Sequence, residues 1–421
     1  MPTYLADDEL DLSKLRDLGD GDRFPTFADW DTPSDRKRVP KVLFIASSAG
    51  EGGIERHSVL MAGELVARGV NVMFACGPNS HIERSCETIG LRTRTFRSRN
   101  SGDPRGVRQL LALMEDFSPG VVHVHSRRDY VPALMAAYLL RARGKNARRP
   151  RIIIHSHLDK PLGVPGQLAR RFFAGVADCV VAVSDAVKKH LIEIHGFAPS
   201  FVRVLHNGID LDAFVSADSK VGQKMRQRAR KNLGIPADAQ VIGMVGRLND
   251  KGQADLISAA APVIRARRGL WIVLVGPGST GDMDRLTDLA KTEGVSGRVL
   301  LTGPRDDVPE ILPAFDMLVH LPETESFGLA LVEAMASGLP TITADVGGCG
   351  EVVEHGVTGF VVERGNGIAV QAAIKKLLAD ESGEALRKSM GEAGRNSALT
   401  RFSLDNQVNQ LIEWYRELAA C

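Results

Sequence analysis

Short apolar runs separated by longer amphipathic stretches recur along most of the chain. Val, Ile and Leu fill nearly every position of these runs, and residues 54–68, between the first two, show a helical spacing of apolar positions. Continuous apolar strands that alternate with helices are typical of a parallel sheet covered on both faces. We therefore predict strands at 41–47, 70–76, 120–125, 151–157, 178–184 and 201–207, and again at 240–246, 270–276, 298–303, 316–322 and 340–345.

This alternation predicts an α/β protein with two doubly wound parallel-sheet domains, 41–213 and 237–400. Residues 214–236 are polar and basic with little apolar periodicity, so they are predicted to be a linker or an amphipathic surface helix. Residues 1–40 are polar and acidic and are predicted to be a disordered or loosely attached extension. Ligands of open α/β sheets bind beyond the carboxyl ends of the strands, so chemistry is expected in a cleft between the two domains.

Length and composition exclude several classes of protein. The chain has 421 residues, of which 44% are hydrophobic and 25% charged, and no apolar run approaches the roughly 20 residues of a membrane span. Its five cysteines are odd in number and scattered, which argues against a disulfide framework and against a zinc site. The N-terminus has no basic start followed by an apolar core, so we expect a cytosolic protein.

The net charge of +2 conceals an uneven distribution. Residues 41–213 hold 24 Lys+Arg against 15 Asp+Glu, a surplus of nine positive charges, whereas residues 237–421 hold 17 against 25. A basic domain can meet nucleic acid, anionic lipid or a phosphorylated substrate. Aromatic residues make up only 5% of the chain and no nucleic-acid-reading motif is present, so we expect no nucleic acid as a partner.

The position of these basic residues predicts a location. They are concentrated in residues 141–151, with Arg170, Arg171 and the basic residues of 220–231 as additions. Each basic residue near an anionic bilayer contributes about 1 kcal/mol, so the first domain is predicted to dock reversibly on the inner face of the cell membrane. The alternative is a solvated basic face that serves only solubility.

Residues 323–351 form the most informative segment. After the strand that ends near residue 322, a turn begins at Glu325 and residues 327–336 suit a helix. Such a helix directs its free amides into the cleft, which makes a site for phosphate. Glu333 lies about two turns beyond Glu325 and is placed to reach a ribose diol; alternatively, it is a satisfied carboxylate beside a buried apolar face. The predicted phosphate-binding amides are those of Phe327, Gly328 and Leu329.

Three other loops follow predicted strands. Arg247 and Lys251 place two positive charges where they can neutralise a diphosphate, unless they are solvated loop charges. The GxGxxG match at 276–281 contains a proline and lacks an acidic residue about 20 positions on, so it is a weak nicotinamide site and a better strand-to-helix turn. Gly52 and Gly53 let the backbone approach a ligand oxygen closely, or form a tight structural turn.

Two His-x-His pairs end predicted strands of the first domain. His123 lies with His125, and His155 with His157. Strand alternation puts both members of a pair on one face, so a metal site is conceivable, although no ligand spacing on a helix supports it. A neutral histidine that donates a hydrogen bond to a sugar hydroxyl at the cleft edge is better motivated.

Three segments are similar to hallmark sequences of the retaining GT-B glycosyltransferases of family 4. They are HNGIDLDAF at 206–214, GRLNDKG at 246–252 and, above all, ESFGLALVEAMASGLPTITADVGG at 325–348. The resemblance spans the chain from about residue 41 onward. It implies two Rossmann-like domains facing a cleft, with a nucleotide-sugar donor on the C-terminal domain and a carbohydrate or lipid-linked acceptor on the N-terminal one. It also implies that residues 401–421 form a helix that crosses back to the first domain.

The resemblance assigns roles to the candidate residues. Glu333 matches the ribose-binding glutamate, Glu325 the glutamate near the donor sugar, and Arg247 with Lys251 the diphosphate-binding pair. At the sugar itself His157 is the better match, and His155 competes with it. No metal ion and no cofactor beyond the nucleotide sugar is implied. The base would be read mainly by backbone of residues 302–307, a segment that includes Arg305.

We accordingly expect a retaining glycosyltransferase of polysaccharide, lipopolysaccharide or glycolipid synthesis. The resemblance implies front-side displacement, in which the leaving diphosphate takes the proton of the acceptor hydroxyl. Within enzymes the alternative is another GT-B chemistry, such as a phosphorylase or an epimerase. Outside enzymes it is a non-catalytic subunit that binds nucleotide sugars.

Overall fold

The computed structural model describes residues 39–48, 52–100, 102–143, 149–157 and 175–420. The predicted N-terminal extension lies outside the described residues, apart from Val39 and Pro40. Residues 144–148 of the basic segment 141–151, and the basic residues Arg170 and Arg171, also lie outside them.

In the described part of the chain, seven strands form the first sheet: β1 Val42–Ala46, β2 Val72–Cys76, β3 Thr93–Thr95, β4 Val121–Val124, β5 Arg151–Ser156, β6 Cys179–Ala182 and β7 Val202–Val204. All are parallel and lie in the order β3-β2-β1-β4-β5-β6-β7. The helices between them are α1 Gly53–Ala67, α2 His81–Thr88, α3 Pro104–Phe117, α4 Tyr130–Ala142 and α5 Asp185–Glu193.

The second sheet, which lies within described residues, has six strands: β8 Gln240–Val245, β9 Leu270–Val275, β10 Val299–Gly303, β11 Met317–His320, β12 Thr341–Ala344 and β13 Gly359–Val362. They too are parallel, in the order β10-β9-β8-β11-β12-β13. The helices of this half are α6 Lys220–Leu233, α7 Gln253–Ala266, α8 Thr280–Thr292, α9 Val308–Ile311, α10 Leu329–Ala336, α11 Cys349–Val352, α12 Gly367–Leu377, α13 Glu381–Arg401 and α14 Leu404–Ala420.

The two doubly wound sheets confirm the predicted fold class. Every predicted apolar run contains a strand, which is one to three residues shorter than the run at one or both ends. Two strands escaped prediction. β3 consists of Thr, Arg and Thr at a partly exposed sheet edge, and β13 is only four residues long, so neither carries the apolar signal of a central strand.

Residues 214–236 contain helix α6, so the amphipathic-helix alternative describes most of this segment. Ser219 caps its start, and Gly234, with φ of 68°, ends it. The Arg230 side chain is buried and donates to Asp316 at 3.0 Å and to the carbonyls of Ala314 and Ala237. Because Asp316 immediately precedes β11, these bonds fix the helix to the second sheet.

Helix α14 crosses back and packs on α1 of the first domain, as the resemblance implied. Its apolar residues share one buried cluster with β1 and β2, in which Tyr415 is the largest fully buried side chain of the helix. The first domain therefore completes one layer of its core with residues from the far end of the chain. Among the helices of the described residues, none combines the length and apolar character that a membrane span needs.

Strand order reverses at two places, between β1 and β4 and between β8 and β11. A crevice opens at the carboxyl edge of a parallel sheet at such a point, because the neighbouring connections leave on opposite faces. The loops after β1, β4, β8 and β11 carry most of the candidate residues, so the topology brings them to these two crevices.

Candidate functional site

A buried carboxylate organises the carboxyl edge of the second sheet. Glu325 Oε2 accepts from Lys251 Nζ at 2.8 Å and lies 3.0 Å from His320 Nε2. Burial alone would raise the pKa of Glu325, but the His320 hydrogen bond and the Lys251 charge outweigh it and hold the pKa well below its ordinary value. Glu325 is therefore ionised, and it fixes the Lys251 ammonium at the end of β8.

Helix α10 starts next to this pair, two residues later than the sequence predicted. Gly328 has φ of 100°, a conformation that favours glycine, and the helix follows at Leu329. The Phe327 amide is turned toward Glu325 Oε1 at 3.5 Å, and its ring is buried against His206 and Phe402. The first amides of the helix are thus those of Leu329 and Ala330, whereas Phe327 packs the turn beneath them.

The first domain faces the start of α10. A Cβ on Gly53 would lie 3.4 Å from Leu329 Cδ1, so this glycine lets the two domains approach. The Gly52 amide is already used, because it donates to Glu55 Oε2 at 3.0 Å in the capping box of α1. Of the two glycines, Gly53 is therefore the one that borders the second domain.

Glu333 lies one turn along α10, and the surroundings of its carboxylate differ from those of Glu325. Its carboxylate makes no hydrogen bond within the described residues. Burial raises its pKa to about 7, and the Arg56 charge opposes this rise only in part. Arg56 itself comes from α1 and bonds to Asp306 of the second domain at 2.9 Å. A carboxylate held without a partner in this position is a ready acceptor for ligand hydroxyls.

Two predicted cations are already paired in this structure. Arg247 is largely exposed and donates to Asp250 on its own loop at 2.7 Å. Arg305 makes two bonds to Asp307, at 2.7 and 2.5 Å. Both pairs join neighbours in sequence at the surface, so a ligand anion can compete for these guanidinium groups at low cost.

The GxGxxG match is a structural turn. Gly276 has φ of 145°, and a Cβ there would lie 2.1 Å from the Gly246 carbonyl oxygen. The Leu248 amide donates to the Pro277 carbonyl at 2.9 Å, which fastens this turn to the loop that carries Arg247. The glycines thus serve the close packing of two loops.

In the first domain a cavity of about 250 Å³ opens beside β4 and β5. Its lining includes Glu55, Ser126, Arg127 and Arg128, and His157 reaches it. His155 does not line the cavity and is fully buried, so of the two competing histidines His157 is the one available to a ligand. Burial lowers the pKa of His157 well below its ordinary value, which keeps the ring neutral.

Sequence reasoning missed a contact between the domains. Glu351, which follows β12, accepts from the amides of Asp185 and Ala186 at 2.8 and 2.7 Å and lies 3.3 Å from His206 Nε2. It thereby supplies negative charge at the start of α5, where the helix dipole favours it. A Ser-Asp helix start at 184–185 is visible in the sequence, but nothing there indicates that a second carboxylate comes from residue 351.

Comparison with known families matches both halves of the chain. The model described as Glycosyltransferase Family 4 matches residues 51–213, and the model described as Glycosyl transferases group 1 matches residues 225–397. The two matches do not overlap; the first contains strands β2 to β7 of the first sheet, and the second contains all six strands of the second sheet.

Similar proteins and structures agree with this division. The D-inositol 3-phosphate glycosyltransferase of Mycobacterium tuberculosis H37Rv is 34% identical over 245 residues, which are 57% of this chain and 48% of the relative. The match thus spans about half the length of this curated relative. Anabaena HepE in complex with UDP and glucose has a TM-score of 0.76 at 24% identity, covering 89% of this chain and 99% of the other. A glycosyltransferase of Rickettsia africae has a TM-score of 0.78 at 20% identity, and the match covers 90% of this chain and 98% of the other. These structures establish the GT-B fold.

The raised pKa of Glu333 predicts a pH-dependent cost of folding. The folded state favours the protonated acid. The free energy of unfolding is therefore highest below the ordinary pKa of a carboxyl group, and this contribution is lost as the pH rises through about 7. Glu333→Gln, which mimics the protonated form, is therefore expected to melt a few degrees above the parent at pH 8 and together with it at pH 4. Differential scanning calorimetry at both pH values measures this.

Glu323 provides the matched control, because it is a glutamate of the same loop as Glu325 and is exposed. Glu323→Gln is expected to leave the melting temperature unchanged at both pH values. Equal melting of Glu333→Gln and the parent at pH 8 would show that Glu333 carries no burial cost.

Proposed function

Because the chain belongs to the group 1 / family 4 glycosyltransferases, we propose that it moves a sugar from a nucleoside diphosphate sugar to an acceptor hydroxyl with retention of configuration. One observation carries the proposal. Helix α10 begins beside the Lys251–Glu325 ion pair and, one turn further on, holds Glu333, whose carboxylate has no hydrogen-bond partner among the described residues. Positive charge for a diphosphate thus lies at the start of the helix, and a hydrogen-bond acceptor for a ribose diol lies one turn further on.

The donor lies along α10. Its diphosphate meets Lys251, the exposed Arg247 and the first amides of the helix, where the dipole favours negative charge. Glu333 is about 6 Å along the axis from Leu329, a distance that suits a ribose next to the diphosphate. The base then reaches residues 302–307, beside Arg305 and the Arg56–Asp306 pair that closes the cleft from the first domain.

The chemistry is a front-side displacement on the sugar. The bond from the anomeric carbon to the phosphate oxygen breaks, and the bond to the acceptor oxygen forms on the same face. The acceptor proton passes to the departing phosphate oxygen. Charge grows on the diphosphate in this step, and Lys251 and Arg247 stabilise it without a metal ion in the cleft. Glu325 holds the Lys251 side chain in position for that oxygen through their 2.8 Å contact.

The acceptor occupies the cavity of the first domain. His157, which lines this cavity, is neutral and donates to a hydroxyl of the donor sugar, and this hydrogen bond orients the anomeric carbon. Arg127 and Arg128 in the lining favour an acceptor that carries negative charge, and the mycobacterial relatives are named for a phosphorylated inositol. We place the reaction in polysaccharide, lipopolysaccharide or glycolipid synthesis, where hydroxyl acceptors carry phosphate or a lipid-linked diphosphate.

Titration calorimetry with UDP-, GDP- and ADP-glucose tests the donor site. One of these donors is expected to bind, and Glu333→Gln should weaken it roughly 10- to 100-fold, because a hydrogen bond to a charged group contributes about 1.5–3 kcal/mol. Glu323→Gln serves again as the control and should bind like the parent. Failure of all three donors to bind, or equal binding by Glu333→Gln, contradicts the assignment. An inverted anomeric configuration in the product contradicts retention.

His157→Ala is expected to lower turnover while leaving the affinity for the free nucleoside diphosphate unchanged, because the ring contacts the sugar end of the cleft only. Steady-state kinetics and calorimetry on the same preparation separate the two effects. His81→Ala, on α2 and outside the cavity lining, is the control and should match the parent in both. A turnover equal to that of the parent removes His157 from the site.

The surplus of positive charge on the first domain supports docking on an anionic membrane surface. Part of this charge is neutralised internally, since Arg149 and Arg151 pair with Asp178, and Arg143 with Glu115. Co-sedimentation is expected with phosphatidylglycerol vesicles at low salt, little at high salt, and none with phosphatidylcholine vesicles. Binding that is indifferent to salt, or absent from anionic vesicles, leaves a soluble acceptor as the substrate.

A further inference from the structure

Three buried histidines converge behind the acceptor cavity. His123 and His125 project from the β4 edge on one face, and His155 comes from the neighbouring strand β5. Their exposed fractions are 0%, 2% and 0%, and one ring nitrogen of each lies within 4.8 Å of those of the other two. The proposed donor site along α10 uses none of the three.

The rings leave several nitrogens without a hydrogen bond. Within the described residues, Nε2 of His123, Nε2 of His125 and both nitrogens of His155 have no partner. The rings stack on one another, with centroids 4.3 Å apart for His123 and His125, but stacking satisfies no nitrogen. An unmet buried polar group costs about 1–3 kcal/mol, and proteins pair nearly all such groups, so this cluster calls for an occupant.

The chemistry of the three histidines indicates which kind of ion they bind. The three side chains offer only ring nitrogens, and a ring nitrogen without a proton presents a lone pair, which attracts a cation rather than an anion. Imidazole nitrogen suits zinc and neighbouring transition metals. Tetrahedral zinc with bonds of about 2.0–2.1 Å places its ligand atoms about 3.4 Å apart, so nitrogens that lie up to 4.8 Å apart must move closer by up to about 1.4 Å when the ion binds.

We propose that His123, His125 and His155 bind one divalent transition-metal ion, with zinc as the best fit, at a buried site behind the acceptor cavity. Water or a cavity ligand completes the coordination, because three protein ligands leave a fourth tetrahedral position. The site is separate from Lys251, Arg247 and Glu325, so the ion takes no part in stabilising the leaving diphosphate. Its existence does not depend on the proposed transfer reaction.

The other nitrogens of two ligands already have the partners that metal binding requires. His123 Nδ1 lies 2.6 Å from the Tyr415 hydroxyl of α14, and His125 Nδ1 lies 3.2 Å from His157 Nε2. With Nε2 on the metal, each Nδ1 carries the proton and donates it. His157 then accepts at Nε2 and keeps its proton on Nδ1. The ion thereby fixes the tautomer of His157, which lines the acceptor cavity together with His125.

The test measures metal on protein prepared without an affinity tag. Inductively coupled plasma mass spectrometry is expected to find one zinc ion per chain, and refolding with Co²⁺ should give the visible absorption of four-coordinate cobalt. His123→Gln and His155→Gln keep a polar side chain of similar length and should each lower the metal content at least about tenfold. His57→Gln is the matched control, since His57 is buried, contacts the His157 ring edge-on and lies outside the ligand set.

The outcomes separate clearly. Circular dichroism and gel filtration establish that each variant is folded, and His57→Gln should keep the metal of the parent. A parent that contains no metal and takes up neither Zn²⁺ nor Co²⁺ on refolding overturns the proposal and leaves water as the occupant. Metal content equal in parent, His123→Gln and His155→Gln overturns it as well. Neither result bears on sugar transfer, because no substrate is present.

Discussion

The buried charge of Glu325 is the constraint on which the second domain's active edge depends. Its carboxylate holds Lys251 from the loop after β8 and His320 from the end of β11. Its backbone carbonyl accepts from Gly348 at 3.1 Å, and a Cβ on Gly347 would lie 1.7 Å from that oxygen, so the loop after β12 can approach only with glycine. One residue therefore sets three loops at once, and an unpaired carboxylate at this depth would be costly.

The strands and the donor-site motif can be predicted from the sequence. The contacts between residues far apart in the chain cannot, because no local pattern encodes them. Apolar runs predict central strands, because a strand that is buried on both faces needs apolar side chains at every position. The edge strand β3 is partly exposed and can be polar. The motif around Glu325 and Glu333 indicates a donor site, but the pairing of Lys251 with Glu325 is a contact between residues 74 positions apart. Helix α10 begins after Phe327 because that ring is buried against residues of other elements, which local helix signals do not show.

The two domains meet through contacts of unequal strength. Arg56 and Asp306 form an exposed pair, with 48% and 78% of their side chains accessible, and such pairs contribute little. Glu351 is less exposed and receives two backbone amides at the start of α5. Separating the Arg56–Asp306 pair therefore costs less free energy than separating the Glu351 contact.

Helix α14 has a consequence for the order in which the chain becomes folded during synthesis. The first sheet is complete once β7 has been made, yet one face of its core is covered by a helix that begins about 200 residues later. At about 5–20 residues per second, the ribosome needs roughly 10–40 s to supply that cover. During this interval apolar side chains of α1 and β1 face solvent, so the nascent first domain is a natural client for chaperones that bind emerging chains.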